Sequence, residues 1–113
     1  MSTPTYSLRE LEATLHRYDA ADGSGSAPLD RVQDANGLLF LCPKCFEANG
    51  GSRGTHSVLC LFVGVPPGGK LPGPGRWTAT GNTIDDVTLA PSVRITSGCG
   101  WHGFVERGRA RTD

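Results

Sequence analysis

Apolar positions follow two periods along this chain, and the change between them divides it. Leu8, Leu11, Leu15 and Tyr18 recur at helical spacing and define one apolar face. Just ahead of them, Ser7 and Glu10 have the spacing of a capping box, in which a hydroxyl and a carboxylate each satisfy a free backbone amide. This pattern predicts an N-terminal helix. Residues 20–28 (AADGSGSAP) are turn formers and read as a flexible linker. The expected organisation is therefore a helix and linker over 1–28, followed by a main domain over 29–113.

From Asn36 onward the pattern turns to strands. Residues 37–41 (GLLFL) lead directly into Cys42, and residues 56–65 form an apolar run suited to a central strand buried on both faces. Residues 66–75 (PPGGKLPGPG) predict an irregular loop. Short strands are expected over 76–80, 86–89 and 93–96, with a turn at Gly81-Asn82 and a last hairpin over 104–111 around Gly108. The longest apolar run has eight residues, whereas a membrane-spanning helix needs about 20.

Composition changes the picture by making the core lean. The chain has 16 glycines and 8 prolines among 113 residues, so a metal staple would supply stability that packing alone does not. Net charge is zero, although residues 1–50 are acidic and 51–113 are basic in balance. The terminal run Arg107, Arg109 and Arg111 is the one candidate for phosphate contacts. Nucleic-acid binding through this basic half is accordingly an alternative rather than the leading reading.

The chemistry concentrates in two half-sites. Cys42-Pro43-Lys44-Cys45 and Cys99-Gly100-Trp101-His102 each place two soft ligands three residues apart, the spacing of zinc knuckles. Pro43 pre-sets such a turn, and Gly98 and Gly100 permit positive φ around Cys99. The expected site is one structural zinc ion held by Cys42, Cys45, Cys99 and His102. Two disulfides, or four unrelated thiols, are the competing readings. Both are weaker, because no export signal is visible and neither accounts for His102 at a ligand position. Thiols kept free for metal point to the cytoplasm. Cys60 reads as a buried small hydrophobe; the alternative is that His56, four residues earlier, joins Cys60 as a replacement ligand pair.

Enzyme patterns fail on the same residues. A zinc deaminase needs His-x-Glu before Pro-Cys-x-x-Cys, and a metalloprotease needs His-Glu-x-x-His; neither occurs. Asp85-Asp86 follows a turn and reads as surface. The glycine-rich loop at Lys70 lacks the ending of a phosphate cradle. No catalytic residue is legible, and a zinc-dependent hydrolase is the least favoured reading.

Residues 76–108 also carry a resemblance. Trp77, Gly81-Asn82, Thr88-Leu89-Ala90-Pro91-Ser92-Val93, Cys99-Gly100-Trp101-His102-Gly103-Phe104 and Gly108 resemble a group of small phage and bacterial proteins. That group shares a Thr-x-x-Pro-Ser segment ahead of a Cys/His-rich C-terminal motif. Some of its members carry an implausible label, ammonia monooxygenase; others are similar to proteins encoded beside bacterial ubiquitin-like conjugation genes. Cys42-Pro43-Lys44-Cys45 fits the group's first cysteine pair. The resemblance implies a zinc-stabilised β domain of phage or mobile-element origin and supplies no catalytic residue. The resulting expectation is a small β-rich, α+β, zinc-ribbon-like antiparallel domain with one N-terminal helix. It would serve as a binding or adaptor module that acts through a protein partner.

Overall fold

The computed structural model describes residues 5–19, 21–66, 75–95 and 99–113. Strand β1 spans Thr5–Ser7, β2 Thr14–His16, β3 Gly37–Leu41 and β4 Ser57–Leu61. The second half adds β5 (Thr78–Thr80), β6 (Thr88–Arg94), β7 (His102–Glu106) and β8 (Arg109–Thr112). Among the described residues there is one helix, α1, at Pro43–Asn49, and one 3-10 turn at Val32–Asp34. The strands form a five-stranded sheet in the order β1-β8-β7-β6-β5 and a three-stranded sheet in the order β2-β3-β4. Every pairing within both sheets is antiparallel. This is a small β-rich domain with one helix, although that helix is not the expected one. Among the described residues, no helix is long and apolar enough to cross a membrane.

The predicted N-terminal helix is replaced by β1, one tight turn and β2. The capping bonds themselves form: the Ser7 amide donates to Glu10 Oε2 at 2.9 Å and the Glu10 amide to Ser7 Oγ at 3.1 Å. They cap a single turn. Glu12 takes positive φ (54°), and the Ala13 amide reaches back to the Leu8 carbonyl, a pattern that stops a helix. Tertiary pairing overrides local preference on either side, because β1 joins β8 and β2 joins β3. The apolar spacing nonetheless marked core residues, since Leu8, Leu11 and Leu15 are completely buried. They share one core with Leu89, Val93 and Val105, so residues 5–16 are built into both sheets rather than appended. The expected linker is a return loop: Tyr18 bridges Gly25, and Leu15 bridges Leu29.

The main core fills the space between the sheets. Leu38, Phe40, Val58 and Cys60 face Leu89, Val93, Val105 and Ala110, with Trp101 set edge-on against Phe40 at 5.9 Å. The run over 56–65 is shorter than expected and forms an edge strand; β3 is the central one. Strands expected over 86–89 and 93–96 merge into β6, whose pairing with β7 shifts register between Leu89 and Val93. The final hairpin forms as expected, with Arg107 and Gly108 both at positive φ (50° and 75°), the geometry that matches strand twist. Most of the loop over 66–75, and Thr96 and Gly98, lie outside the described residues.

Candidate functional site

Two constellations of reactive side chains stand at the same end of β7. The first gathers the cysteines. Cys42 is buried at the entry to α1, where Pro43 occupies the first turn, and Cys45 follows on α1 itself. The pair Leu41↔Ser57 closes the β3–β4 register, so the Cys42 amide meets the His56 carbonyl at 2.9 Å. Cys99 arrives from the β6–β7 connection, followed by Gly100 at φ 67°. The ligand atoms of Cys42, Cys45, His56 and Cys99 all lie within 4.8 Å of one another, close enough to hold a metal ion.

The spacing fits a tetrahedral ion. Cys42 Sγ and Cys99 Sγ are 3.5 Å apart, and His56 Nε2 is 3.3 Å from Cys99 Sγ. A tetrahedral zinc centre with ordinary bond lengths sets sulfur atoms about 3.8 Å apart and sulfur and nitrogen about 3.6 Å apart. A contraction of a few tenths of an ångström is what an ion would relax. The sulfur separation is far beyond a disulfide bond, and all four cysteines are free. Burial pushes the Cys42 thiol up to about 12. Burial also raises the Cys45 thiol, and neighbouring Cys99 adds to the effect. At Cys99 burial acts the same way, but hydrogen bonds from His56, Cys42 and the Trp101 amide outweigh it and lower the thiol to about 7. Cys60 lies away from this group, completely buried, its thiol pushed up to about 12 by burial alone.

Three of the four predicted ligands thus converge, and His56 stands where His102 was expected. His102 opens β7, and side chains alternate along a strand. Gly103 and Val105 face the core, while His102 and Phe104 face outward from the five-stranded sheet. The structure therefore does not bring His102 to the cysteines. His56 carries no Cys-x-x-His signal; pairing GLLFL with SVLCL, which sets His56 opposite Cys42, would have found it.

The second constellation is the one His102 joins. Its Nε2 lies 3.0 Å from Ser92 Oγ, and its Nδ1 lies 3.2 Å from Asp113 Oδ2. The Asp113 amide also donates to the His102 carbonyl, which fixes the acid beside the ring. Ser92 sits on β6 in the register shift, and the Trp77 indole donates to its carbonyl at 3.2 Å. Behind the ring, the buried Trp101 indole donates to Thr112 Oγ1. Trp77 also lines a cavity of about 590 Å³, with Tyr18, Phe62, Val65 and Ala79 among its walls. Sequence reasoning missed this group. Ser92 and Asp113 had no motif to mark them, and the one usable signal was the Thr-x-x-Pro-Ser segment ahead of His102.

A hydroxyl, an imidazole and a carboxylate brought together in this order are the groups that hydrolases acting through a nucleophilic serine use. Residues 63–112 match the family described as "Bacterial ubiquitination-like system serine protease (BubE)". The match covers 50 of the 113 residues, links that stretch to bacterial ubiquitin-like conjugation systems, and contains Ser92 and His102. No curated protein and no solved structure matches the chain.

Proposed function

We propose that the domain is a serine peptidase of a bacterial ubiquitination-like system, with Ser92 as nucleophile, His102 as general base and Asp113 as the residue that orients it. The observation that carries this reading is the placing of one imidazole between two groups: His102 Nε2 is hydrogen-bonded to Ser92 Oγ (3.0 Å), and its Nδ1 stands 3.2 Å from Asp113 Oδ2 in an ion-pair contact. The Asp113 carboxylate beside Nδ1 favours the proton on that nitrogen, so the ring presents the lone pair of Nε2 to the hydroxyl. Ser92 Oγ then attacks the carbonyl carbon of a peptide bond while His102 Nε2 takes its proton. The same nitrogen returns that proton to the departing amine, leaving an acyl group on Ser92. Water repeats the sequence and releases the acid.

The protein partner expected of an adaptor becomes, in this reading, a protein substrate. Cys42, Cys45, His56 and Cys99 take a zinc ion in a structural role, because three thiolates and one imidazole complete a tetrahedron and leave no position for water. Thiolate ligands are best preserved in a reducing compartment, which favours the cytoplasm.

The test is covalent labelling of the full chain with a fluorophosphonate probe, which reacts with an activated serine. Labelling confined to Ser92, and lost in Ser92→Ala, is the expected result. A probe that fails to react, or that reacts equally with Ser92→Ala, would overturn the assignment. Elemental analysis of the same sample should give one zinc per chain.

A further inference from the structure

We infer that the metal held by Cys42, Cys45, His56 and Cys99 is the positioning device for His102, so that it governs reactivity at Ser92 without touching substrate. This rests on the serine peptidase reading. The ligands come from three separate stretches: the β3–α1 junction, the residue before β4, and the β6–β7 connection. Cys42 and His56 belong to the three-stranded sheet, and their backbones are already joined by the Cys42 amide and His56 carbonyl. Cys99 belongs to the β6–β7 connection of the other sheet and leads into the strand that His102 opens. An ion at these four side chains therefore ties the end of one sheet to the root of the base on the other.

The linkage from metal to base is short and stiff. Only Gly100 and Trp101 separate Cys99 from His102. Trp101 is 1% exposed, packed on Phe40 and bonded through its indole to Thr112, so it cannot absorb a displacement. The Trp101 carbonyl accepts from the Ile95 amide at 2.8 Å, which closes the connection just below Arg94↔His102. Lys44 Nζ donates to the Cys99 carbonyl at 2.8 Å, a second tie from α1 to the same residue.

The nucleophile is held differently. Ser92 lies within β6, and Trp77 anchors its carbonyl. The imidazole has two polar partners, Ser92 Oγ and Asp113 Oδ2, and 38% of its side chain is exposed. The ring's position is set by the backbone leading from Cys99, by the β7 pairing and by the bond from the Asp113 amide to the His102 carbonyl. A misplacement of about 1 Å in a reacting group can cost about 100-fold in rate. Loss of the ion releases Cys99 and gives the ring that freedom.

Three measurements on the full chain test this. Zinc is removed with a chelator under reducing conditions, and metal content, far-UV circular dichroism and the rate of fluorophosphonate labelling are followed together. With the sheet signal intact, labelling should fall by about 100-fold and return when zinc is restored. Cobalt should restore it to within about twofold and show thiolate-to-cobalt absorption, since a closed tetrahedral site offers the reaction no open position. Insertion of one glycine between Gly100 and Trp101 keeps all four ligands but slackens the connection; it should retain one metal per chain and lose at least tenfold in labelling. That variant decides the matter if chelation melts the sheets. Metal-free protein that labels at the holoprotein rate, an insertion variant that labels like the parent, or a tenfold change between zinc and cobalt would each overturn the inference. Failure of the parent to label at all would instead strike the peptidase reading, and the metal stoichiometry would still stand.

Discussion

The two constellations lie side by side, separated along the chain by Gly100 and Trp101, yet they are built on opposite principles. The cysteine group collects its ligands across both sheets from three stretches of chain. The Ser92–His102–Asp113 chain is assembled within one sheet, from two adjacent strands and the residue that follows the third. A site drawn from several elements depends on the whole fold and in return holds it together. One assembled on neighbouring strands needs only local register. The expected consequence is one-way: damage to the metal site should reach the triad, while damage to the triad should stop there.

The largest effect that would sharpen this contrast is at Ser92. Ser92→Ala should lower labelling and peptide hydrolysis by about 10³-fold or more, with metal content and thermal midpoint unchanged. Loss of metal in this variant would break the comparison. Next comes Cys99→Ser, which should lose the ion and lower the thermal midpoint, since a folded state that binds metal owes part of its stability to it. It should also lose labelling, and retained labelling at the parent rate would show the sites to be independent. Asp113→Asn should cost about 100-fold in labelling, less than the loss of a fully buried triad acid, because Asp113 is 55% exposed and water can share its task. Its zinc content should match that of the parent.

The smallest effect concerns Cys60, which belongs to neither group. Burial holds its thiol at about 12, against an ordinary value of 9.0. A raised pKa on an acid means that the folded state favours the neutral thiol. Its contribution to stability is fully present below pH 9 and is lost as pH rises from 9 toward 12. Cys60→Ala should keep its zinc and show a shallower fall in urea stability over that window. Equal metal loss in Cys60→Ala would mean that the ligand set is wrongly drawn.

The core-facing side of β7 has its own constraint. At Gly103 a Cβ would run into the Arg111 carbonyl and come within 2.6 Å of the Trp101 ring. Gly103→Ala should therefore destabilise the domain by about 1–3 kcal/mol, measurable by urea denaturation. Because Gly103 follows His102 directly, labelling should fall alongside.

Much of this domain was written locally. The β3 run enters Cys42 with the bounds of the apolar stretch GLLFL, and the β7–β8 hairpin turns at Gly108 because positive φ is cheap there. Leu8, Leu11 and Leu15 announced their burial through their spacing. The Cys-x-x-Cys pair and Cys99 announced a shared site, since soft ligands at that spacing have few other uses. What the sequence could not determine was anything set by pairing between distant segments. Ser7 and Glu10 bond as a capping box in either structure, so only the pairing of β1 with β8 and β2 with β3 decides for strands over a helix. His56 becomes a neighbour of Cys42 through the β3–β4 register, and His102 turns outward to Ser92 through the alternation of β7. A spacing motif reports residues that one turn can bring together. Register between strands is fixed by core packing over the whole domain, and it assigned the two histidines to their separate partners.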